Sequence, residues 1–114
     1  RLKGIQVKKI FDHAAGMTNG ILQVSKNARY SFTPRKNAND IWIKGKLIED
    51  NKEYWVAAPN FVTQGGDGYL EFQSSIEYID SGILVVDVAE NYLNNIDVYQ
   101  PEYGNRVQII NEDN

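Results

Sequence analysis

The spacing of apolar residues changes from a helical period to an alternating one at Gly16, and that switch restricts the chain to folds that combine helices with strands. Val7, Ile10, Phe11 and Ala14 stand at i, i+3, i+4 and i+7, one buried stripe, while Lys8, Lys9 and Asp12 face out. This predicts a helix from Ile5 to His13 with Gly16 as its C-terminal stop. Beyond it, in ILQVSKNARYSF, Leu22 and Val24 share one face and Tyr30 and Phe32 another alternating run. SFTPRKNAND reads as a loop, marked by Pro34 and the Asn/Asp cluster. Ile41, Trp42 and Ile43, then Gly45, then Leu47 and Ile48 predict a short hairpin, and Glu53 to Ala58 a further strand. A second helix is expected over Ile83 to Leu93, with Leu84, Val88 and Tyr92 on one side and Val85 and Ala89 beside them. The end, NIDVYQPEYGNRVQII, reads as two short strands around Pro101 and Gly104. Together these predict one α+β domain over residues 1–114, a mixed sheet with two main helices. Arg1 and Leu2 resemble the frayed end of an earlier element, so the domain is expected to begin upstream of Arg1.

Composition narrows the chemistry. Without cysteine the chain has no disulfide, no zinc-thiolate site and no thiol nucleophile. Its net charge of −3, with cations scattered, argues against a polymeric nucleic-acid partner, which needs a concentrated basic face. No apolar run approaches the ~20 residues of a membrane helix. RLKGIQVKK has no signal-peptide core, so any export signal is expected outside this sequence. His13 is the single histidine, which leaves a Ser-His-Asp triad or a histidine metal site little to work with; it is read as solvated. The acid pairs Glu49-Asp50 and Glu112-Asp113 fall in turn-like or terminal sequence and read as solvated surface. Trp42 and Trp55 are expected to pack in the core or across strands, and Arg106 to pair with an acid across the closing strand.

One stretch resists a purely structural account: PNFVTQGGDGY, residues 59–69. It lacks the Lys-Ser/Thr of a phosphate loop, its aspartate would repel a phosphate, and it has no EF-hand pattern of acids. A carboxylate is acceptor-only and suits a vicinal diol such as that of a ribose. Flanking glycines allow positive φ and close approach of a ligand, and an aromatic ring can stack on a base. Two readings therefore fit. In one, Phe61 and Asp67 form a nucleoside clamp; in the other, the aspartate caps its own turn and Phe61 belongs to the core. Tyr69 is expected to anchor the loop.

The same loop closely resembles that of the C-terminal domain of the 5′-nucleotidase family, which includes UDP-sugar hydrolases, ecto-5′-nucleotidases and 2′,3′-cyclic-nucleotide phosphodiesterases. LKGIQVKKIFDHA resembles the family's Leu-x-Gly turn and following helix, NGILQVSKNARYSF its strand with a Leu-Gln-Val core, KLIEDNKEYWVAAPNF the approach to the loop, and VYQPEYGNRVQII its closing strand. The resemblance implies a two-domain metallophosphoesterase. Its N-terminal domain holds two divalent metals, such as zinc or manganese, and its C-terminal domain binds the nucleoside. Carried over, Phe61 takes the place of the second base-stacking aromatic and Asp67 that of the acid on the ribose hydroxyls, with Asn60, Gly65 and Gly66 shaping the loop. The first stacking aromatic, the phosphate-holding residues, the metals and the catalytic residues would all lie outside this sequence. The chain would then be the second part of a substrate-binding domain, inactive alone, and dependent on an N-terminal domain or a companion chain. The resemblance implies a periplasmic, secreted or cell-surface setting. Alternatives within it are a non-catalytic interaction module and a relative acting on cyclic nucleotides or sulfur compounds.

Overall fold

A computed structural model describes residues 1–18, 20–102 and 104–111. Its elements run β1 (Leu2–Lys3), α1 (Gly4–Gly16), β2 (Ala28–Phe32), β3 (Ala38–Ile43), β4 (Lys46–Leu47), β5 (Glu53–Tyr54), α2 (Asn60–Thr63), α3 (Val85–Asn94) and β6 (Val107–Ile109). Two 3₁₀ turns, Gly66–Gly68 and Leu70–Ser74, lie between α2 and α3. The main sheet has the order β4-β3-β2-β6, antiparallel except for the β2–β6 pair, and β1 and β5 form a separate antiparallel pair. The architecture is the α+β class with a mixed sheet.

Helix α1 forms where the period required it. Val7, Ile10, Phe11, Ala14 and Ala15 are buried on the face that meets Tyr30, Phe32 and Ile41 of the sheet. Phe11 meets Tyr30 edge-on at 4.7 Å between centroids, a favoured aromatic geometry. The start of the helix is tied down by backbone. Gly4 and Ile5 donate to the carbonyls of Lys52 and Asp50 at 2.8 and 3.0 Å, and the Lys3 amide donates to Gln6 Oε1 at 2.7 Å. These contacts satisfy donors that a helix N-terminus otherwise leaves orphaned. They also bring the chains so close that a Cβ on Gly4 would stand 2.0 Å from the Glu49 carbonyl oxygen.

Several expectations are corrected. Leu2 is not frayed: it is 2% exposed and pairs with Tyr54 through β1. The strand predicted over Glu53–Ala58 stops at Tyr54, because its partner β1 is only two residues long. Trp55 therefore lies past the pairing and is 60% exposed, with the Arg1 guanidinium 5.9 Å from its ring centroid. Trp42, by contrast, faces Arg29 across the β2–β3 ladder, with the guanidinium 5.1 Å from its ring centroid. Leu22 and Val24 are half-buried but in no ladder; their carbonyls accept from Tyr30 Oη and Arg106 Nη1 at 2.8 and 3.2 Å. Arg106 thus binds a carbonyl rather than the expected acid. The loop after Phe32 is shorter than predicted, since Thr33 and Asn37 close the turn and Ala38–Asp40 already belong to β3. Near the end of the chain, only β6 forms among the described residues of the two strands expected there. α3 forms, yet every one of its residues is exposed, so its apolar stripe is not covered by the described chain. Asp50 pairs with Lys8 at the surface, and Glu112-Asp113 lie outside the described residues.

Two outcomes test this packing. Gly4→Ala should lower unfolding free energy by at least about 2 kcal/mol in urea titration, because the Glu49 backbone blocks the methyl group. Gly16→Ala, with nothing within 4 Å of its Cβ, should be neutral or stabilising. Burial, with a smaller contribution from Tyr69, pushes the Tyr30 phenol from 10.0 up to about 12. The folded state therefore holds this proton more tightly than the unfolded state. Stability should be complete below pH 10 and fall as pH rises toward about 12, with Tyr30→Phe removing that part of the slope.

Candidate nucleoside-binding loop

Residues 59–69 fold as α2 followed by a 3₁₀ turn. α2 is closed by Gln64 N–H donating to the Asn60 carbonyl at 2.9 Å and Gly65 N–H to that of Val62 at 3.0 Å. The chain then passes through left-handed conformations at Gly65 (φ 96°), Asp67 (φ 55°, ψ 23°) and Gly68 (φ 79°). Glycine adopts such angles freely, and aspartate is among the few other residues that tolerate them. Gly66 is required for a different reason. A Cβ there would stand 2.5 Å from the Phe61 carbonyl oxygen and 2.6 Å from two of its ring carbons. The missing side chain lets the Phe61 ring lie directly against the loop backbone.

Phe61 is 61% exposed, so the reading that placed it in the core does not describe this chain. Asp67, on the other side of Gly66, is also exposed, as is Asn60. The Asn60 carbonyl accepts from Gln64 N–H and from Thr63 Oγ1, so its backbone closes α2. Gly65 rests on the Gln73 side chain, which donates to the Gln64 carbonyl at 3.1 Å.

Tyr69 anchors the loop, as the sequence suggested. It is buried, with its ring against Phe72. Burial raises its phenol pKa, and the Asp67 carboxylate adds to the rise. The sequence reading missed His13. Its Nε2 lies 2.7 Å from the Asp67 carbonyl oxygen, and its ring meets Tyr69 edge-on at 4.7 Å. It is half-buried rather than solvated. A signal was present: His13 follows Ile10 by three positions and precedes Ala14, on the edge of the buried stripe.

A sizeable concavity lies elsewhere. A cavity of about 500 Å³ opens between residues 55–60 and 75–85, lined in part by Trp55, Tyr78, Ile79 and Leu84. Pro59 and Asn60 reach its edge, whereas Phe61 and Asp67 do not line it. Among the described residues no group of three or more His, Asp or Glu side chains could hold a metal. Nor is any described helix long and apolar enough to cross a membrane.

Known proteins resemble this chain in sequence and in fold. The family described as 5′-nucleotidase, C-terminal domain, matches residues 1–74. Protein UshA of Escherichia coli is 32% identical over 81 residues, covering 66% of this chain, and UshA of Yersinia enterocolitica is 33% identical over 58 residues, covering 51%. The matched regions amount to only 15% and 10% of those proteins. In structure, a 5′-nucleotidase precursor from Thermus thermophilus superposes with a TM-score of 0.88 at 24% identity, over 98% of this chain and 24% of its own. At that identity the likeness speaks to the fold alone.

The electrostatic coupling in the loop is directly testable. Asp67→Asn should lower the Tyr69 phenol pKa, since a negative neighbour is removed, while burial keeps it above the ordinary value. NMR titration of ring-labelled tyrosine reads this; an unchanged Tyr69 curve would contradict the placement of the carboxylate.

Proposed function

The chain belongs to the family of 5′-nucleotidase C-terminal domains, and from that premise we propose that it is the nucleoside-binding portion of a metal-dependent 5′-nucleotidase. Phe61 stacks on the base and Asp67 accepts hydrogen bonds from the ribose 2′- and 3′-hydroxyls. Asn60, Gly65 and Gly66 shape the loop that presents them. Phosphomonoester hydrolysis belongs to an N-terminal metallophosphoesterase domain, or a companion chain, that carries two divalent metals. The residues described here supply recognition and no catalytic group. The setting is periplasmic, secreted or cell-surface.

The observation that supports this reading is the exposed Phe61 ring laid on the Gly66 backbone, beside an exposed carboxylate. An aromatic side chain left out of the core loses about 1.5–3 kcal/mol of burial, which a stacking partner would restore. A carboxylate in open solvent likewise keeps its lone pairs available for a diol.

Calorimetric titration of the full-length protein with adenosine tests the assignment. Phe61→Ala should weaken binding by about 1–3 kcal/mol. Asp67→Ala should abolish the preference for adenosine over its 2′,3′-dideoxy analogue. Equal affinity of the unaltered protein for the two nucleosides would contradict the role given to Asp67.

A further inference from the structure

The geometry points to His13 as the positioning residue of the nucleoside loop, a latch that holds Asp67 in its left-handed conformation through the Asp67 carbonyl. The inference rests on the function proposed above and adds to it a residue from outside the loop, 54 positions earlier in the chain.

Three contacts converge on the imidazole. Nε2 is 2.7 Å from the Asp67 carbonyl oxygen. A carbonyl oxygen only accepts, so Nε2 carries the proton and donates. The ring edge packs on buried Tyr69, 4.7 Å between centroids at 78°. Its third contact is Gly68, where an added Cβ would stand 2.9 Å from His13 Cε1 and 3.1 Å from Nε2. The imidazole thus grips the residue that would bind ribose and both residues after it.

Within the loop, Asp67 is bracketed by two backbone bonds of 3.2 Å, Gly68 N–H to the Gly65 carbonyl and Tyr69 N–H to that of Gly66, and neither engages its own carbonyl, which His13 takes. Gly65, Gly66 and Gly68 surround Asp67, and each widens the conformations open to the unliganded chain. Asp67 sits at φ 55°, a region that costs even a tolerant non-glycine residue some strain and is kept only where the surroundings impose it. α1 is a rigid platform for imposing it, since Ile10, Phe11, Ala14 and Ala15 around His13 are all buried. A donor on such a platform sets the direction of the Asp67 side chain before any ligand arrives, which lowers the ordering cost of binding.

The test uses His13→Ala, His13→Gln and His13→Asn in the full-length protein. A glutamine Nε2 reaches about as far as imidazole Nε2 and can donate to the same carbonyl, whereas asparagine is too short. Adenosine affinity should fall about tenfold in His13→Ala and His13→Asn, with affinity for the dideoxy analogue unchanged, and should largely recover in His13→Gln. NMR coupling constants should show Asp67 leaving positive φ in His13→Ala, and histidine ¹⁵N shifts should show Nε2 protonated in the unaltered protein. A bare Nε2, or an Asp67 φ that survives His13→Ala, would overturn the latch. So would equal losses for both nucleosides, since a merely structural residue would weaken them alike. If the unaltered protein does not distinguish ribose from dideoxyribose, the proposed function fails, and the Asp67 coupling alone then decides the latch.

Discussion

The seating of α1 against the 49–52 segment is the contact on which the rest of the structure depends. Gly4 approaches the Glu49 carbonyl more closely than any side chain would allow, and two helix amides bond into that segment. This fixes where the helix starts and how it rolls. Its buried stripe then falls on Tyr30, Phe32 and Ile41, and its far end is set as well. His13 lies about 13 Å further along at 1.5 Å per residue, where it meets Asp67, Gly68 and Tyr69. Helix register is thereby translated into loop position.

The loop itself divides its glycines between two tasks. Gly65 and Gly68 supply positive φ, and Gly66 makes room for the Phe61 carbonyl and ring. The aspartate is held in the same left-handed run. An acid between glycines with an aromatic six residues earlier is therefore a geometric arrangement. The ring lies on the backbone, the acid follows it, and both face solvent. Tyr69 and Phe72 fasten the far side of the loop to the core.

Much of this was legible in the residues. The 3.6 period marks the buried face of α1 because Val7, Ile10, Phe11 and Ala14 form a single stripe that packs into one core with Tyr30, Phe32 and Ile41. Gly45 marked the turn between β3 and β4, where φ is 78°. The strand over residues 53–58 was overextended because β propensity reports a backbone able to pair, not a partner of sufficient length; β1 offers two residues. Alternation with apolar neighbours predicts core or cross-strand packing for Trp55, yet it falls just past that pairing and is exposed. The stripe of α3 was read correctly as apolar, but periodicity does not say what covers a stripe. His13 was hidden for another reason: its partner lies 54 residues away, and its polarity invited a solvent reading that its position beside Ala14 contradicted.

The cavity of about 500 Å³ between residues 55–60 and 75–85 would draw a ligand guided by enclosed apolar area. A ligand guided by stacking and diol recognition would prefer the loop. A crystal structure of the full-length protein with adenosine bound separates these most directly. The account predicts adenine against the exposed face of Phe61, with the ribose hydroxyls on the Asp67 carboxylate and the Asp67 carbonyl still on His13 Nε2. Adenosine seated in the Trp55–Leu84 cavity, with Phe61 and Asp67 uncontacted, would contradict it.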